Sequence, residues 1–173
     1  MAPPVILRIG APANSACNEH MEQSAQGTNA ASRPAVPERL RVVLADDHPK
    51  MREEIRLLLA SEFEIAGSVS EGQSLLSAVA RLTPDAVISD IQMPLIDGIE
   101  AGRRILQQGL CSAIVILTAY NEPQLVRSAL EAGVRGYVLK NDAGEELALA
   151  VRTVANGGAY LSSSIRHSLN RVL

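Results

Sequence analysis

The chain has 173 residues, 47% of them hydrophobic and 20% charged, which suits one ordinary domain with tails and leaves no room for several. Aromatic residues make up only 2% and Trp is absent, so any core must be aliphatic. A net charge of −3 gives no electrostatic pull toward a polyanion such as DNA, and no apolar run approaches the roughly 20 residues that span a bilayer; the expectation is a soluble, cytoplasmic protein.

Residues 1–38 are rich in Ala, Pro, Asn, Ser and Gln without a sustained period, and read as a disordered extension. Cys17 lies in that stretch and Cys111 beside an apolar run; neither has the Cys or His neighbours of a zinc site. From Arg39 the character changes. Short β-branched apolar runs, LRVVLA (40–45), EIAGSV (64–69), DAVISD (85–90), AIVILT (113–118) and GYVLK (136–140), alternate with segments of helical period. Those segments are Pro49 to Glu62, Gln73 to Leu82, Gly98 to Gln107, Pro123 to Ala132 and Gly144 to Asn156. Pro84, Pro94, Gly133, Gly136 and Gly157 punctuate the boundaries. Strands that are apolar on both faces, joined by right-handed helical crossovers, predict a doubly wound three-layer α/β domain with a five-stranded parallel sheet over 39–158. Residues 159–173 read as a linker-like tail.

In such a sheet the binding crevice lies beyond the carboxyl ends of the strands. The first run ends in Asp46 and Asp47 and the third in Asp90, so three carboxylates converge at one edge. Like charges this close raise one another's pKa unless a cation intervenes, and carboxylate oxygen ligands without His or Cys suit a hard ion such as Mg2+. Asp47 alone, before His48 and Pro49, has an alternative reading as a helix N-cap. Thr118 closes the fourth run and Lys140 the fifth. A carboxylate nucleophile, a divalent ion and fixed donors for the remaining charge are what phosphoryl transfer to Asp90 requires.

LADDHP (44–49), VISDIQMPLIDG (87–98), ILTAY (116–120) and GYVLK (136–140), in this order and spacing, resemble the response-regulator receiver family of two-component systems over about 40–158. The resemblance implies the flavodoxin-like fold with strand order 2-1-3-4-5. It implies Asp90 as phosphoacceptor, with Asp46, Asp47, Asp90 and the main-chain carbonyl of Gln92 holding Mg2+. Thr118 and Lys140 would contact the phosphoryl group, and Tyr137 would be a switch residue turning inward as Thr118 is drawn to the phosphate. Ala119, being small, would leave the phosphoryl group accessible. The implied partners are a sensor histidine kinase or phosphotransfer protein and a phosphorylation-dependent second copy, on a face made by the fourth helix, fifth strand and fifth helix.

Within the family, ADDHP, GIEAGRR and NGGAYLSSSI resemble NarL/FixJ-like receivers, which usually continue into a LuxR-type helix-turn-helix. With some fifteen residues left after the receiver, no direct DNA binding is expected of this chain. A transcription regulator whose DNA-binding part is missing is the alternative. A turnover phosphatase of the haloacid-dehalogenase kind is disfavoured because Gln92 stands where its acid/base Asp belongs, and a flavin phosphate would be repelled by Asp46 and Asp47.

Overall fold

The computed structural model describes residues 39–170; the extension 1–38, with Cys17, lies outside the described residues, as do 171–173. The chain runs β1 (Arg41–Ala45), α1 (Pro49–Leu59), β2 (Glu64–Val69), α2 (Gly72–Leu82), β3 (Ala86–Ser89) and α3 (Gly98–Gln107). It continues through β4 (Ile114–Thr118), α4 (Pro123–Glu131), β5 (Gly136–Leu139), a 3-10 turn (Lys140–Asp142), α5 (Ala143–Ala155), β6 (Tyr160–Leu161) and α6 (Ser163–Asn170).

All strands are parallel, in the order β2-β1-β3-β4-β5-β6. Every residue of β3, β4 and β5 is buried, so both faces of the sheet are covered, as continuous apolar runs require. Two layers of helices do this: α1 touches α5, and α2 touches α3. The core is aliphatic, with Leu44, Leu59, Leu75, Ile88, Ile105, Ile114, Ile116 and Leu147 fully buried. Tyr137 is its one large fully buried aromatic among the described residues. None of the described helices is long and apolar enough to cross a membrane.

Local chemistry sets the helix ends. α1 begins with Pro49 at its first position, where a missing N–H costs nothing. Asp97 caps α3 by accepting from the Glu100 amide at 2.8 Å, and Glu100 in turn pairs with Arg103 and Arg104. Gly133 and Gly157, at φ 91° and 83°, take the left-handed conformation that ends α4 and α5.

Residues 159–170 depart from the expected linker-like tail. Tyr160 and Leu161 add a sixth strand beside β5, and α6 buries Ile165 completely. A carboxylate from another helix holds this segment. Glu146 of α5 accepts from the Tyr160 hydroxyl at 2.7 Å, from the Ser163 amide at 3.1 Å and from the Ser163 hydroxyl at 2.5 Å. Asp142 accepts from the Ser164 hydroxyl at 2.8 Å. Arg152 of α5 pairs with Glu62 just after α1.

Candidate functional site

β1 lies between β2 and β3, so the order reverses there and the crevice opens above the carboxyl ends of β1 and β3. Asp46 and Asp47 follow β1 and Asp90 follows β3, which brings the three together as expected. With His48 they form a group whose ligand atoms all lie within 4.8 Å of one another.

Asp90 is fixed at every polar atom. Its amide donates to the Ala45 carbonyl at 2.8 Å, its carbonyl accepts from the Ser89 hydroxyl at 2.9 Å, and Oδ1 accepts from the Ile91 amide at 2.7 Å. Oδ2 accepts from Lys140 Nζ at 2.8 Å. The same Nζ stands 2.7 Å from Asp46 Oδ2. One ammonium thus serves two carboxylates with side chains only 3% and 4% exposed. Burial pulls the Lys140 pKa down, but the bonds and charges of Asp46 and Asp90 outweigh it and hold it above the ordinary lysine value.

Asp46 is anchored as tightly. Oδ1 accepts from the His48 amide at 2.8 Å, and its carbonyl accepts from the Arg52 guanidinium, reaching back from α1 at 2.5 Å. Asp47 is more open. It is not the helix cap: His48 occupies that position, without a capping bond from its side chain. Asp47 Oδ1 is nevertheless a buried atom without a hydrogen bond. His48 Nδ1 stands 2.6 Å from it, but out of hydrogen-bonding alignment.

Gly98 lets the loop after β3 fold back against the Asp90 main chain. A Cβ there would stand 1.8 Å from the Asp90 carbonyl oxygen. Gln92 is exposed on that loop, and its carbonyl accepts no hydrogen bond among the described residues. Leu95 is 82% exposed with φ 69°.

Thr118 is fully buried at the end of β4, and its Oγ1 accepts from the Tyr120 amide at a long 3.4 Å. Tyr137 lies wholly inside, its hydroxyl donating to the Tyr120 carbonyl at 2.9 Å. Burial, with lesser help from Glu122 and Asp90, pushes that phenol far above the ordinary range. Beyond the β4–β5 ladder that pairs Thr118 with Leu139, the Tyr137 hydroxyl ties Tyr120 to β5. A cleft of about 340 Å³ lined by His48, Lys50, Met51, Glu54, Ala119 and Lys140 leads to the carboxylates.

Sequence reasoning missed Arg52, Ser89 and the close approach at Gly98. Their contacts are to main-chain carbonyls, which no residue-type pattern marks. His48 was visible in the motif, but its place among the ligand atoms depends on how α1 starts.

Residues 42–152 match the family model of the response regulator receiver domain. The chain is 32% identical over 133 residues to the transcriptional regulatory protein DegU of Brevibacillus brevis, covering 76% of this chain and 56% of that protein. It therefore spans little more than half the length of that relative. Among solved structures, it is similar to a LuxR-family two-component response regulator from Aurantimonas sp. SI85-9A1. There the TM-score is 0.72 at 31% identity, with 78% of this chain and 99% of that one covered. It is also similar to the signal receiver domain of the response regulator NarL from Mycobacterium tuberculosis, with a TM-score of 0.67 at 30% identity, covering 70% of this chain and 99% of that one. With the acidic crevice, the order of the strands and a match across well over half of its length, this chain belongs to the response-regulator receiver family of two-component systems.

Proposed function

We propose that this chain accepts a phosphoryl group from a sensor histidine kinase or phosphotransfer protein onto Asp90, and that the modified state changes which partner it binds. The observation that carries this reading is the single ammonium of Lys140 held between buried Asp46 and Asp90 at 2.7 and 2.8 Å. Two buried carboxylates and a nearby third are an unfavourable structural choice unless the site receives further positive charge or uses a carboxylate chemically.

The donor set fits Mg2+: Asp46, Asp47 and Asp90 offer carboxylate oxygens and the buried Asp47 Oδ1 lacks a donor, while the family resemblance would add the Gln92 carbonyl. Bound there, the ion would neutralise charge on the phosphoryl oxygens as a Lewis acid. The Asp90 carboxylate attacks phosphorus; the bond from phosphorus to the donor imidazole nitrogen breaks, and its electron pair stays on that nitrogen. Ile91 N–H keeps the Asp90 carboxylate oriented through Oδ1. Lys140 passes from Asp90 Oδ2 to a phosphoryl oxygen, and Thr118 gives up its long contact with Tyr120 to do the same. Because Tyr137 is bonded to Tyr120, that exchange is felt at the α4–β5 surface.

Nothing in this scheme needs an external substrate to turn over, so the domain acts as a phosphoacceptor switch and not as a turnover enzyme. The name and greater length of DegU support a second reading of its output, control of transcription as the receiver part of a LuxR-type regulator. DNA contact would then come from chain outside residues 39–170.

Intact-protein mass spectrometry after incubation with acetyl phosphate tests the central claim. A magnesium-dependent, base-labile gain of one phosphoryl group in the native chain, absent in Asp90→Asn, is expected. No gain in the native chain with magnesium present would overturn the reading.

A further inference from the structure

The fourth member of the site's ligand group is a nitrogen, and the phosphoacceptor scheme makes no use of it. His48 caps α1 by position, yet its ring makes no capping bond and turns back toward the carboxylates. Nδ1 stands 2.6 Å from Asp47 Oδ1 and 3.4 Å from Asp46 Oδ1. Neither contact qualifies as a hydrogen bond, and Asp47 Oδ1 stays unpartnered although buried. Metal–ligand bonds of about 2.0–2.2 Å place two neighbouring ligand atoms about 2.8–3.6 Å apart. The 3.4 Å distance falls within that spacing and the 2.6 Å distance just below it, so a shift of a few tenths of an ångström would seat His48 and Asp47 on one ion.

We propose that His48 is a direct nitrogen ligand at this site, so that the receiver binds imidazole-preferring divalent ions such as Ni2+, Co2+ or Zn2+ in addition to a magnesium-type ion. The inference rests on the reading of Asp46, Asp47 and Asp90 as a cation site. Oxygen donors alone serve hard ions; an added imidazole selects for the later first-row metals, which hold nitrogen more strongly. His48 is 67% exposed, so its ring swings onto the ion without disturbing the core. A bound Ni2+ or Zn2+ would occupy the Asp90 crevice and compete with Mg2+ there.

The test is calorimetric titration of the full chain with Ni2+ and, separately, with Mg2+, on the native protein, His48→Gln and Asp47→Asn. The nitrogen coupling in the electron paramagnetic resonance spectrum of bound Cu2+ provides a readout independent of phosphorylation. His48→Gln should lose on the order of tenfold or more in Ni2+ affinity, keep its Mg2+ affinity within about twofold, and lose the nitrogen coupling contributed by this site. Asp47→Asn should weaken both ions. If Asp47→Asn weakens both ions but His48→Gln leaves Ni2+ affinity and the Cu2+ spectrum unchanged, His48 is no ligand and only this inference falls. If Asp47→Asn changes neither ion, the cation site itself is refuted, and the inference with it.

Discussion

Lys140, at the end of β5, reaches across β4 to place its Nζ 2.8 Å from Asp90 Oδ2 at the end of β3. The contact matters for stability as well as chemistry, because the same ammonium also neutralises Asp46.

Replacing Lys140 by Met should leave two buried carboxylates without their cation and cost about 3 kcal/mol or more in magnesium-free buffer. Magnesium should restore part of that loss, and should stabilise Lys140→Met more than it stabilises the native chain. Urea unfolding with and without the ion measures both. An equal magnesium effect on the two proteins would refute the shared-cation account.

Gly98 and Gly144 make a matched pair. At Gly98 a methyl group would meet the Asp90 carbonyl oxygen at 1.8 Å, so Gly98→Ala must push the loop away from Asp90; a loss of about 3 kcal/mol and, on the proposed function, slower phosphorylation are expected. At Gly144, near the start of α5, a Cβ meets nothing within 4 Å, and Gly144→Ala should gain about 0.5 kcal/mol through helix propensity. Denaturant midpoints for the two variants should move in opposite directions.

Tyr137→Phe keeps the buried ring and removes only the bond to the Tyr120 carbonyl. A loss of about 1 kcal/mol is expected, with phosphorylation of Asp90 retained. The amide resonances of residues 118–122 should shift more than those of β1. Unchanged spectra in that loop would mean that the hydroxyl does not hold it.

The clasp on α6 should weaken at both ends of the pH range. Burial and then the bond to Glu146 raise the Tyr160 phenol to about 12, so its contribution is complete below its unfolded value near 10 and is lost as pH rises through 12. Burial raises the Glu146 carboxyl, but bonds from Ser163 and Tyr160 outweigh it and leave it below the usual value. Its contribution is present above the unfolded pKa near 4.3 and fades as pH falls through the lower folded one. Hydrogen exchange in 163–170 should therefore be slowest relative to the unfolded chain between about pH 5 and 10. In Glu146→Gln exchange there should speed up, and the tyrosinate absorbance of Tyr160 should appear closer to 10. Unaltered exchange in the variant would remove Glu146 from the role of clasp.

What could be read in advance follows from where information is local. The runs that became β1, β3, β4 and β5 were legible because burial on both faces leaves an unbroken apolar signature, as in Ile114–Thr118. Asp46, Asp90 and Lys140 were legible because a polar residue ending such a run can only lie at the sheet's carboxyl edge. β6 was not legible: two residues carry no period, and what holds them is Glu146, a side chain from another element. The Tyr137–Tyr120 bond and the Arg52–Asp46 bond were hidden for the same reason, since each ends on a carbonyl that every residue possesses.

The short sixth strand also decides what happens at the sheet's margin. The Tyr160 amide donates to the Arg135 carbonyl, the Ser162 amide donates to Tyr137, and the Leu139 amide finds the Ser162 hydroxyl. Without them β5 would present a bare row of donors and acceptors, a template on which another copy could stack edge to edge. Tyr160 and Ser162 thus shield the margin against polymerisation, and a chain shortened before Ala159 would leave its fifth strand open to intermolecular growth.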